Sequence, residues 1–175
     1  MDLKYPIGTF EHIGDISLEQ REAWIRDITE LPSLMRQAVQ GLTEEQLRIP
    51  YREGGWTIRQ VVHHVADSHM NSYIRFKLAL TEDNPTIRPY HEDRWAELPD
   101  TELEPIETSL QLLDSLHRRW VRLLAVMTDE QFARTFYHPG SQETMRLDMT
   151  VGSYSWHGRH HLAHITMLKE RLNGF

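Results

Sequence analysis

Apolar residues along this chain recur at steps of three and four, the spacing of helices, and polar residues at the breaks carry the signals of helix ends. Trp24, Ile25, Ile28, Leu31, Met35, Ala38 and Val39 line one face of a helix that closes near residue 40, before Gly41. It opens at Ser17, whose spacing to Gln20 is that of a capping box. Pro32 lies inside this helix and has no amide hydrogen to donate, which predicts a kink near residue 31. Thr43 and Gln46 repeat the capping spacing before a short turn of helix that Pro50 stops, and Gly54-Gly55 breaks the chain. Thr57 with Gln60 then opens a second long helix over about 58–82, ending before Asn84-Pro85.

The stretch from Pro85 to Pro105 mixes prolines with scattered charges and reads as a long connection with at most a helical turn. Leu110, Leu113, Leu116, Trp120, Leu123, Leu124 and Met127 predict a third long helix over about 106–127. Thr128-Asp-Glu-Gln131-Phe132 echoes Thr43-Glu-Glu-Gln46-Leu47, so the chain reads as two similar halves. His138 to Ser141 form a turn, residues 142–149 a short extended piece, and Thr150 to Leu172 the last helix before Asn173-Gly174. The first sixteen residues, with Pro6, Gly8 and Gly14, show no periodicity and read as an extended arm. The expected fold is all-α, an antiparallel four-helix bundle with an extended N-terminal arm and long helix connections.

At 175 residues the chain suits a single domain over 1–175. No apolar run approaches the ~18 to 20 residues of a bilayer span, and no signal-like stretch marks the N-terminus, so the expectation is a cytoplasmic protein without a membrane partner. A formal charge of −7 has the wrong sign for gathering phosphates and argues against nucleic acid. The absence of cysteine excludes disulfides and thiolate ligands, leaving His and carboxylate to hold any metal. Eleven histidines are present, and seven of them fall in the short stretches 63–69 and 157–164.

A helix advances ~100° per residue, so His157 and His161 project about 40° apart, one turn along, within reach of one ion. His160 and His164 form a second pair of the same spacing. Tyr154, Ile165, Leu168 and Leu172 set a core direction to which His161 and His157 lie closer, which favours that pair as ligands. On the second helix the same test leaves His64 at the rim of the apolar face and His69 on it, and periodicity does not choose between them. His63 faces away. Trp24, Trp56 and Trp120 read as core anchors.

Two segments, Gly55-Trp56-Thr57-Ile58-Arg59-Gln60-Val61-Val62-His63-His64-Val65-Ala66-Asp67 and Tyr154-Ser155-Trp156-His157-Gly158-Arg159-His160-His161-Leu162-Ala163-His164, resemble the signature segments of the DinB-like superfamily. Within that superfamily they look closely like the YfiT group of metal-dependent hydrolases from bacilli. The resemblance implies one divalent ion per chain, zinc or nickel, held by His64, His157 and His161, which decides His64 over His69. It also implies a homodimer acting on a small molecule. Many superfamily members carry Arg-Gly-Gln after the paired histidines where this chain has Leu162-Ala163-His164, which weakens substrate expectations taken from distant relatives.

Three neutral imidazoles leave an ion its full charge and an open position, the arrangement of a catalytic zinc that activates water. The same site would stabilise the thiolate of a small external thiol such as bacillithiol, so a thiol transferase is the rival enzyme and a non-catalytic metal-binding bundle the rival class. Asp67, on the face adjoining His64, could orient a ligand imidazole or accept a proton from bound water, or simply pair with Arg59 or Arg75.

Overall fold

Four helix starts are closed by the side chains that the sequence spacing names. In a computed structural model that describes residues 2–173, Ser17 accepts from the Gln20 amide at the head of α1 (Leu18–Val39). Reciprocal capping boxes of Thr43 with Gln46, Thr57 with Gln60 and Thr128 with Gln131 open α2 (Glu44–Leu47), α3 (Ile58–Thr81) and α7 (Asp129–Phe132). The remaining elements are α4 (Glu92–Trp95), α5 (Pro99–Leu103), α6 (Ile106–Leu124), β1 (Thr135–His138), β2 (Glu143–Arg146) and α8 (Leu147–Asn173). α1 continues through Pro32 without interruption. The connection after α3 holds two short helices where at most one turn was expected. The extended piece expected after residue 142 is β2, which pairs antiparallel with β1, a strand the helical periodicity did not reveal. The stop expected at Asn173-Gly174 reaches outside the described residues.

The chain forms the expected all-α four-helix bundle, with α1, α8, α3 and α6 packed in that order around a ring. Antiparallel packing joins α1 to α6, through Arg36–Glu107 and Ile28–His117, and α3 to α8, through His64–His161 and Ser68–Tyr154. The other two contacts are parallel. Asp27 meets Ser155 and Ala38 meets Lys169 between α1 and α8, and His63 meets Ser109 and His69 meets His117 between α3 and α6. Parallel neighbours need a connection that returns the full length of the bundle, which is the work of the long stretch 82–105. The order long helix, capped turn, histidine-bearing long helix occurs twice, as α1–α2–α3 and α6–α7–α8, so the echo in the sequence is an echo in the fold.

The apolar core lies in two clusters, each drawing on all four long helices. One is built around Met35, Ile58, Val61, Leu113 and Ile165 and the other around Ile28, Phe76, Trp120, Leu124 and Val151. Between them, at the level of His64, His69, His117 and His157, a layer of imidazoles crosses the bundle. Close approach of α1 to α8 at this level depends on Gly158, where an added Cβ would collide with the Leu31 side chain. No helix among the described residues is long and apolar enough to cross a membrane.

Candidate metal centre

The loop 50–57 is drawn tight by a bridge between Pro50 and Thr57 and by the Tyr51 amide donating to the Trp56 carbonyl, with Gly54 in the left-handed region at φ 64°. This loop feeds directly into the Thr57 capping box, so Trp56 is fixed just before α3 and His64 two turns into it. α8 supplies His157 and His161 from the opposite wall. The three side chains each offer a ring nitrogen, all within 4.8 Å of one another. His64 Nε2 and His157 Nε2 stand 3.2 Å apart. Two nitrogens bound to one tetrahedral zinc at ~2.0–2.1 Å would be about 3.3–3.4 Å apart, so the pair is already spaced as ligands of one ion. His161 Nδ1 is buried and without a hydrogen-bond partner among the described residues.

The electrostatics suit the same use. Burial, and after it the neighbouring His160, lowers the pKa of His64 to about 4. Burial first, then the adjoining histidines, holds His157 and His161 well below the ordinary imidazole value. All three are therefore neutral near pH 7 with a lone pair available to a cation. They lie in a cleft of about 320 Å³ walled by the N-terminal arm, the 50–57 loop and α8, with Lys4 and Arg52 among its lining side chains. Trp56, expected as a core anchor, packs partly on the core and turns its ring toward His64 and His161, at 4.5 and 6.2 Å between centroids. Trp24 and Trp120 are core residues.

His160 and His164 are buried on the same cleft, although the helix wheel set them away from the bundle axis. The arm accounts for this. Tyr5 packs near His160, the Lys4 carbonyl is 3.2 Å from His164 Nε2, and the Trp156 indole donates to the Gly8 carbonyl. A wheel registers the bundle core, and a covering strand without periodicity leaves no trace on it. With His161 these two residues form a second trio of mutually close ring nitrogens.

Asp67 is not brought into either trio or onto the cleft wall. Its carboxyl is half-buried and pairs with neither Arg59 nor Arg75; Arg59 instead binds Glu44 and the Glu104 carbonyl. Burial, then Asp100, raises the Asp67 pKa to about 6. His69, the rival for the second helix, is fully buried behind His157, with Nε2 3.2 Å from His157 Nδ1 and Nδ1 2.9 Å from His117 Nε2. His117 was missed at the sequence level, hidden in a helix face read as purely apolar. The available signal was a histidine in register with Leu113, Leu116 and Trp120.

Histidines from facing helices of a four-helix bundle, two buried and His157 half-buried, suit a metal-binding bundle. Residues 27–165 match the DinB superfamily, to which this chain belongs. The chain is 58% identical over 172 residues, 98% of either chain, to a protein of Bacillus mycoides strain KBAB4 named "Putative metal-dependent hydrolase". Equal identity and coverage relate it to a protein of the same designation from Bacillus cereus strain B4264. Among solved structures it superposes on YfiT from Bacillus subtilis with a TM-score of 0.96, 53% identity and 99% coverage of both chains. That structure is described as "a probable metal-dependent hydrolase with an unusual four-helix bundle topology".

Proposed function

We propose that the chain is a metal-dependent hydrolase of small molecules whose one divalent ion, zinc or nickel, is held by His64, His157 and His161. The observation that carries this reading is that three neutral imidazoles converge on the floor of an open cleft, leaving the cleft side free for water and substrate. A divalent ion bound there supplies Lewis acidity, acidifying a coordinated water toward neutral pH and polarising a substrate oxygen. The protein's own contribution is to hold the imidazoles neutral and aimed and to shield His64 and His161 with the Trp56 ring. Lys4 and Arg52 outnumber Glu92 on the cleft wall, which favours a substrate carrying negative charge or a polar carbonyl. Asp67 has a pKa suited to accepting a proton near neutrality, and a catalytic role for it rests on that property alone.

The protein is read as one domain working in the cytoplasm as a homodimer, which light scattering checks. Two apolar clusters independent of the histidine layer should keep the fold intact on chelation, with a lowered melting temperature. The test of function pairs two assays on the metal-loaded protein: an ester and amide panel without thiol, and an electrophile with bacillithiol. The hydrolase reading expects metal-dependent turnover in the first. Adduct formation confined to the second would replace it with a thiol transferase, and metal binding with turnover in neither would leave a non-catalytic bundle.

A further inference from the structure

Behind His157 a row of hydrogen bonds runs through the core to the backbone of α1, and its direction can be deduced. Within a helix the amide of residue 32 would donate to the carbonyl of Ile28, but residue 32 is Pro and has no hydrogen to give. The Ile28 carbonyl is thereby left without its helical partner at a residue with no exposure, where an unpaired polar group is costly. His117 Nδ1 lies 2.6 Å from that oxygen. A carbonyl only accepts, so the proton is on His117 Nδ1. Both rings are buried, and their hydrogen-bond partners are imidazoles and a backbone carbonyl with no carboxylate to stabilise a cation, so each ring is neutral and carries one N–H.

From that end every tautomer follows. His117 Nε2 is bare and must accept, at 2.9 Å, from His69 Nδ1–H. His69 Nε2 is then bare and accepts, at 3.2 Å, from His157 Nδ1–H. The remaining nitrogen of His157, Nε2, is the one 3.2 Å from His64 Nε2, and it is left as a lone pair. The order is Ile28 carbonyl, His117, His69, His157, with all donors pointing the same way.

We propose that His117 and His69 are positioning residues that lock His157 in the Nδ1–H tautomer, with the Ile28 carbonyl freed by Pro32 as the fixed end of the row. This rests on the reading of His157 as a metal ligand. A ligand histidine needs its second nitrogen held by a partner, commonly a carboxylate or a carbonyl, and the partner governs both ring orientation and basicity. Here the partner is another imidazole, which could donate or accept; only the backbone carbonyl at the far end removes the ambiguity. The row thus converts a proline in α1 into a lone pair aimed from α8.

The test uses 15N-labelled, metal-free protein and long-range proton–nitrogen correlation of the imidazole rings at pH 7.5, together with Zn²⁺ affinity by competition with a chromophoric chelator. Wild type should show protonated Nδ1 and bare Nε2 at His117, His69 and His157. His69→Leu removes the link and should give mixed tautomers at His157 and a Zn²⁺ Kd raised ~10–100-fold. His69→Gln keeps a donor and an acceptor, so its Kd should stay within several-fold of wild type. Both variants are compared by far-UV spectra, and Gln alone carries the comparison if Leu misfolds. A protonated Nε2 on His157 in wild type, or His69→Leu binding Zn²⁺ as tightly as wild type, would overturn the proposal. Failure of the ligand reading is separable: undiminished affinity in His157→Ala would remove the ligand and the purpose of the row, whatever tautomers the spectra show.

Discussion

α8 carries two pairs of histidines at identical spacing, His157 with His161 and His160 with His164, and the bundle treats them differently. His157 is backed from inside by His69 and faces His64 across the cleft. His164 is fastened from outside, with Nε2 on the Lys4 carbonyl and its ring stacked on Tyr51 at 3.8 Å, while His160 stacks on Trp156 at 4.5 Å. In both His157 and His164 one nitrogen is held and the other is left bare; what differs is that the bare Nε2 of His157 meets His64 of α3 at 3.2 Å, whereas the trio that His164 joins draws on α8 alone. Spacing along a helix creates a candidate pair; the partners behind the rings decide which nitrogen is available.

The comparison breaks most sharply at the ligands themselves. His157→Ala or His161→Ala should weaken Zn²⁺ binding by more than the ~10–100-fold typical of losing a partner behind a ligand, while His160→Ala should lose less than about 10-fold, as competition titration would show. Near-equal losses in the two histidine pairs would erase the distinction drawn between them.

The pH dependence comes next in size. Burial lowers the folded pKa of His117 from the ordinary imidazole value of 6.5 to about 4, so the unfolded chain binds protons more readily. Its contribution to stability is present above pH 6.5 and is lost as pH falls toward 4, by about 3 kcal/mol when complete. Urea melts of metal-free protein between pH 7.5 and 4.5 should show this decline, and a flat profile would mean that the row is protonated or open to water.

Gly158→Ala probes the clamp that brings α1 against α8. The new methyl would press on Leu31, and overpacking of this kind costs about 1–3 kcal/mol, read as a lower urea midpoint with unchanged slope. The smallest effect is expected at Asp67. Its raised pKa means that stability is present when the carboxyl is protonated and is lost as pH rises through about 6. Asp67→Asn should therefore raise the melting temperature modestly at pH 7.5 and leave it unchanged near pH 4.

Much of this was legible in the residues. The capping spacings at Thr43, Thr57 and Thr128 placed three helix starts because each names a local hydrogen bond that needs no tertiary context. His157 and His161 were brought together by periodicity alone, but the reading of His64 over His69 needed resemblance, since both side chains are buried and the wheel sees only burial. The parallel pairing of α1 with α8 was not legible, because direction is set by a connection whose sequence carries no periodicity. Nor was His117: Pro32 read as a disturbance of α1, and only the fold shows which side chain answers the carbonyl it frees.

The central claim is tested most directly by an anomalous diffraction map recorded at the zinc edge from crystals of the zinc-loaded protein. The account expects one peak per chain, at ~2.0–2.1 Å from ring nitrogens of His64, His157 and His161, with the cleft side open to solvent. A peak centred instead on His160 and His164, or a fully occupied crystal whose ion does not touch His64, would contradict it.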